Sequence, residues 1–246
     1  MKTRTRILAA AFLAVAALAI AQKPKNKSEQ DALIAIQNEQ DPAAKIKKID
    51  DFVRKFADTD FKAVLYTQAA QLAERLGDGT KVIIYCDLAL EADPKAYQPM
   101  LMISAELARS TRENDLDKDD KLAKAEKYAH QAMEIVPSAP KLNSQIPDPQ
   151  WEEIKKEFVG DAHRDLGMVA SVKKKYDVAV AEFKQAVEIP GEPDPATFIR
   201  LAAAYNDNKQ PDEALAVIAK MPANPQLAPF VDKEKKRAEA LKAAKK

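Results

Sequence analysis

The residues able to do chemistry are few, and one stretch concentrates them. Residues 115–126 read DLDKDDKLAKAE, with carboxylates at Asp115, Asp117 and Asp119, an apolar Leu122 at the eighth place and Glu126 at the twelfth. Oxygens at alternate positions, closed by a glutamate, are what a hard divalent cation such as calcium takes from a short loop. Against that, Asp120 stands where such a loop turns on a glycine, and Lys118, Lys121 and Lys124 dilute the negative charge. The competing reading is a polar loop whose aspartates cap the helix that follows. A calcium-responsive regulatory module is therefore the alternative function, and the primary expectation is no metal and no cofactor.

Other candidate groups lack partners at a useful spacing. His130 and His163 are the only histidines, and neither has a second ligand one helical turn away. His163-Arg164-Asp165 matches a kinase catalytic-loop tripeptide, but the glycine loop and magnesium motif that give it meaning are absent. Cys86 is the single cysteine, so no intrachain disulfide forms, and it lies in the apolar run VIIYCDLA, where a buried inert thiol is expected. Only five glycines occur among 246 residues. Phosphate-cradling loops and turn-rich all-β domains need more. No set of nucleophile, base and oxyanion donors is readable, so the chain is expected to be non-catalytic.

The elements around these residues are helical. The chain holds 45 alanines, the residue that loses least on entering a helix. The first 21 residues stand apart. Lys2, Arg4 and Arg6 precede an apolar run over 7–21 that ends Ala-Ile-Ala, the pattern of an export signal cleaved before Gln22. The run has 15 residues, short of the roughly 20 that span a bilayer. No cysteine follows it, so no lipoprotein anchor is expected. The chain is expected to be exported, periplasmic or secreted, with no membrane span once the signal is removed. Without those three cations, 36 basic residues face 38 acidic ones. That balance gives no reason to expect nucleic acid as a partner. Residues 22–28 read as a flexible leader.

From 29 to 226 the sequence repeats. Small residues mark one helix face at Ala70, Ser104, Gly167 and Ala202. The first two are 34 residues apart and the last two 35. Four before each marker stand Tyr66, Met100, His163 and Phe198; three after stand Ala73, Leu107, Ala170 and Tyr205. A second helix follows in register, through Val82, Ala179 and Ala214, then Cys86, Phe183 and Ile218. In the Ser104 unit that frame comes nine residues late, at Ala125, Ala129 and Ala132. The units read as 29–61, 62–96, 97–140 with an insertion at 112–121, 149–192 and 193–226. Residues 227–246 form a C-terminal capping helix with a Lys-rich end.

This pattern resembles the tetratricopeptide repeat, most closely in LGMVASVKKKYDVAVAEFKQAVEIP over 166–190. The resemblance implies an all-α, right-handed solenoid of about five stacked antiparallel hairpins. It also implies a concave groove, lined by the first helix of each pair, that binds a protein or peptide segment. The residues on that side would be Thr67, Gln71 and Arg75; Gln98, Leu101 and Arg109; Arg164, Met168 and Ser171; and Ile199, Ala203 and Asn206. Some relatives grip a terminal carboxylate with a Lys and an Asn one turn apart. Here Arg164 and Met168 hold those places, so that clamp is not expected. The reading is an exported, non-catalytic scaffold for protein–protein interaction; oligomeric state and partner are left open.

Overall fold

Proline and aspartate set where these helices begin. Asp41 and Asp194 each precede a proline at the first helical position and accept a backbone N–H from Ala44 (2.7 Å) and Ala196 (3.2 Å). Asp78 caps the next N-terminus through Lys81 N–H at 3.0 Å. Such a side chain satisfies a donor that the helix itself cannot. The computed structural model describes residues 23–244. The proposed signal segment at 1–21 therefore lies outside the described residues.

Eleven α-helices run in chain order among the described residues: α1 (Lys27–Asn38), α2 (Pro42–Lys55), α3 (Lys62–Arg75), α4 (Gly79–Ala92), α5 (Tyr97–Ser110), α6 (Lys118–Ile135), α7 (Asp148–Val172), α8 (Tyr176–Glu188), α9 (Pro195–Asp207), α10 (Pro211–Lys220) and α11 (Ala228–Ala243). No strand occurs among them. They form five consecutive pairs and a final single helix, as the repeat period implies.

Two differences from the sequence expectation concern boundaries. Residues 27 and 28 belong to α1 and not to a leader, because the Asn26 side chain caps that helix through Glu29 N–H. The polar residues at its start hid it, although Glu29 is buried there and its Oε1 accepts the Thr59 hydroxyl at 2.6 Å. The insertion at 112–121 is half helix, since α6 starts at Lys118.

The helices divide into two compact units, 1–106 with 138–151 and 107–137 with 152–246. In the first, α1, α2, α3 and α4 pack in sequence, each on the next. Its core holds Ile49, Phe61, Leu65, Ala69, Ala70, Ala73, Val82, Cys86 and Ala89. Trp151 is buried here too, its Nε1 donating to the Ala139 carbonyl. In the second, Phe183 of α8 meets Phe198, Leu201 and Ala202 of α9, Ala214 and Ile218 of α10, and Ala238 of α11.

Three hairpins turn in the same way. At Gly77, Lys174 and Lys209 the backbone is left-handed, with φ of 73°, 57° and 59°. Each is seven residues after its marker, Ala70, Gly167 or Ala202. In each, the next residue donates to the carbonyl five back: Asp78 to Ala73, Lys175 to Ala170 and Gln210 to Tyr205, all at 2.9 Å. The left-handed residue donates to the carbonyl three back, at 3.0 to 3.2 Å. This pair of bonds satisfies the last carbonyls of the first helix and reverses the chain. Only Gly77 meets the conformation without a Cβ penalty.

The markers are small because the partner helix takes their space. All four are buried. A Cβ built on Gly167 would lie 2.7 Å from the Phe183 ring, closer than packing permits. On α11, a buried polar contact adds to the packing of Ala238. Asn206 of α9 is fully buried, and its Nδ2 donates to the Glu234 carbonyl and carboxylate, each at 3.0 Å.

Two outcomes follow. Gly167→Ala should lower stability by about 1–3 kcal/mol by overpacking, and Phe183→Leu in the same chain should recover part of it; urea midpoints would show this. Lys209→Gly should raise stability by about 0.5–1 kcal/mol, and Gly77→Ala lower it by about 1 kcal/mol. A loss in Lys209→Gly would contradict the turn assignment.

Candidate binding cavity

The C-terminal ends of α5 and α7 open beside α9, all within the second unit. Between them lies an open cavity of about 470 Å³. The end of α5 and its exit supply Ala108, Arg109, Thr111, Arg112 and Glu113. Met168, Ser171, Val172 and Lys174 come from α7 and its turn, and Tyr176 and Phe183 from α8. Arg200, Ala203, Ala204 and Asp207 come from α9. Their spacing of three, one and three residues is one face of a helix.

Four residues expected on a concave face meet here: Arg109, Met168, Ser171 and Ala203. Others are placed elsewhere. Asn206 is interior, spent on Glu234, so it faces no groove. Its neighbour Asp207 lines the cavity instead. The α9 face is thus rotated by about one residue from the 199, 203, 206 assignment, and Ile199 falls outside the lining. Arg164 is held by Asp161 and Asp165, with Nη2 at 2.9 Å from Asp165 Oδ1. A guanidinium so committed does not offer itself to a groove ligand. In the first unit, Thr67 is buried and its hydroxyl donates back to the Ala63 carbonyl at 2.7 Å; Leu101 is buried as well. Gln71 and Gln98 are half-buried, and Arg75 is exposed.

Among the cavity residues that the periodicity did not show are Thr111, Arg112, Glu113, Lys174, Tyr176, Arg200 and Asp207. Most sit on turns, where helical spacing gives no face. Arg200 was legible as Ala203 minus three, had the face been set by packing and not by the marker alone.

The acidic stretch does not form a cation loop. Asp115 accepts the Arg112 N–H at 3.0 Å, and Asp117 pairs with Lys121 at 2.8 Å. Asp119 is turned to solvent, its side chain 90% exposed, and Glu126 pairs with Lys173, just past the end of α7, at 2.7 Å. Because α6 begins at Lys118, Asp115 and Asp117 stay in the turn before it while Asp119 and Glu126 lie about two turns apart along it. No group of three or more His, Cys, Asp or Glu suited to a metal ion occurs among the described residues. Nothing among the described residues supports the calcium alternative. His163 likewise serves packing: its Nδ1 lies 2.7 Å from Glu182 Oε2, tying α7 to α8.

Beside the cavity, Asp165 is 1% exposed, and its Oδ2 has no hydrogen-bond partner. Burial pushes its carboxyl up to about 7, against the opposing pull of Arg164. The same pairing with Asp165 and Asp161 drives Arg164 up, so the two groups share one buried charge balance. An acid whose folded value is raised keeps a proton that the unfolded chain has released. Its contribution to stability is therefore greatest below about pH 4, falls as pH rises towards 7, and is level beyond. Between about pH 4.5 and about pH 7.5 the parent chain should lose more unfolding free energy than Asp165→Asn. Equal slopes for the two proteins in urea titrations would remove Asp165 as the cause.

No protein-family model and no curated protein matches the sequence. Among solved structures, the chain is similar to a thermophilic tetratricopeptide repeat (TPR) protein of Thermus thermophilus, at 18% identity and a TM-score of 0.49, over 87% of this chain and 98% of that one. It is also similar to a tetratricopeptide repeat protein of Parabacteroides merdae, at 15% identity and a TM-score of 0.43, over 88% and 94%. The chain's own geometry carries the assignment. Helix pairs in a register of 34 and 35 residues, three left-handed turns of the same kind and small residues at the helix contacts make this an all-α helical-repeat protein of stacked helix pairs.

Proposed function

We propose that this chain is an exported, non-catalytic scaffold that holds a segment of a partner protein in the cavity of its second unit. The observation that supports it most is the lining itself. Apolar side chains (Met168, Val172, Phe183, Ala203, Ala204) sit beside convergent polar ones on a concave surface. Ligand sites have this make-up, a mostly apolar wall with a few placed polar groups. No nucleophile and base come together there: the histidine nearest in sequence, His163, is occupied with Glu182. Helical-repeat modules commonly serve protein–protein interaction, which agrees with a cavity built from three successive hairpins.

Export rests on the sequence pattern at 1–21 and its Ala-Ile-Ala ending. No helix among the described residues is long and apolar enough to cross a membrane.

Tagged protein recovered from the cell envelope should begin at Gln22 and should bring a partner with it. Ala203→Glu, which fills the cavity and adds a carboxylate, should lose that partner with the helical circular dichroism spectrum unchanged. A partner retained undiminished by Ala203→Glu would move the binding surface elsewhere, and a recovered chain that still carries residues 1–21 would refute signal cleavage.

A further inference from the structure

We infer that the occupant of this cavity is an acidic segment, one side-chain carboxylate of which is held by Arg200 and Thr111 while an apolar neighbour seats against Met168 and Val172. The inference rests on the reading of the cavity as a docking site and names what that site selects.

Two groups lining the cavity, one buried and one half-buried, make no hydrogen bond within the described residues. Thr111 is 1% exposed, and its Oγ1 makes no hydrogen bond. Arg200 is half-buried and takes part in no hydrogen bond or ion pair among the described residues. The charges around it are Arg164, Asp194 and Asp165. Of these, Arg164 repels it, Asp194 attracts it without forming an ion pair with it, and Asp165 is already engaged by Arg164. Burial and that repulsion hold the Arg200 guanidinium below its ordinary value. An opposite charge brought into the cavity would relieve both. Buried polar groups in folded proteins nearly always have partners, so the orphan Thr111 hydroxyl, in a cavity that Arg200 also lines without an ion pair, marks a place where a ligand completes the set.

The surrounding charges choose the sign of that ligand. Four cations line the cavity: Arg109, Arg112, Lys174 and Arg200. Only two carboxylates line it with them: Glu113 neutralises Lys174, one of the four, and Asp207 is held by Arg237, so the cations remain in excess. Guanidinium donors form a planar fork that matches a carboxylate, and the Thr111 hydroxyl can donate to the same group. The apolar wall then favours a carboxylate with a hydrophobic neighbour over a bare anion.

The test uses the full chain and a labelled peptide of alternating Leu and Glu, amidated at its C-terminus. A counterpart carries Gln at every Glu. Fluorescence anisotropy should show the acidic peptide binding about tenfold tighter or more, with the margin falling as salt is added. Arg200→Gln should weaken the acidic peptide by about ten- to a hundredfold. Thr111→Val should weaken it by about tenfold while leaving the urea midpoint equal or higher, because an orphan hydroxyl is removed. Lys235→Gln, on the exposed side of α11, should change neither. Equal binding of the two peptides, or an unaltered Arg200→Gln, would overturn the acidic occupant and leave the docking site standing. Failure of both peptides to bind would overturn both. Displacement of the acidic peptide by free glutarate or phosphate at matching concentration would assign the cavity to a small anion and overturn the segment.

Discussion

Two helices of this chain lie together closely only where one of them gives up its side chain. The contact of Gly167 with the Phe183 ring is the clearest instance: the ring fills the volume that a Cβ would need. Ala70 and Ala202, both fully buried, do the same for their hairpins. Once a helix can approach within that distance, its remaining face is apolar and needs another helix. One hairpin cannot bury both of its faces, so each demands the next. The repeat period, the alanine richness and the placement of the scarce glycines all descend from this constraint.

The turns transmit that packing to the cavity. Left-handed residues at Lys174 and Lys209 reverse the chain tightly and bring the next helix back along the first. The connection from α5 to α6 lacks this turn and instead runs through 111–117. Its first residues, Thr111 to Glu113, reach the cavity rather than the core. A departure from the repeat has thus become part of a concave surface. Lys174 shows the same economy, since it accepts backbone strain at the turn and also lines the cavity.

Polar groups in the second unit divide into those that close the structure and those left over. Asn206 with Glu234, and Arg237 with Asp207 and Glu234, fasten α11 onto α9. Arg164 settles on Asp161 and Asp165, and His163 on Glu182. Among the residues lining the cavity, Arg200 and Thr111 are left without a side-chain partner when these pairings are complete. Their isolation is a consequence of how the other charges are shared and not of anything in their own neighbourhood along the chain.

Much of the fold was legible in the sequence because helix packing is periodic. The period of 34 and 35, the small markers and the second-helix stripe placed five pairs and a last helix, each within a few residues. The start of α1 was missed, since a polar helix capped by Asn26 shows no apolar stripe there. The binding surface was half legible. Arg109, Met168, Ser171 and Ala203 came from helical geometry, but Asn206 and Arg164 were assigned to a groove and proved to be structural. Which carboxylate each cation meets is a matter of distance between helices, and spacing along the chain does not contain it. The same reason leaves the calcium alternative without support: carboxylates at 115, 117, 119 and 126 converge only if the backbone loops, and here it winds into α6 from Lys118. Type and period therefore decided the architecture, while charge pairing across helices, which exists only after packing, decided which groups were spent and which were left for a partner.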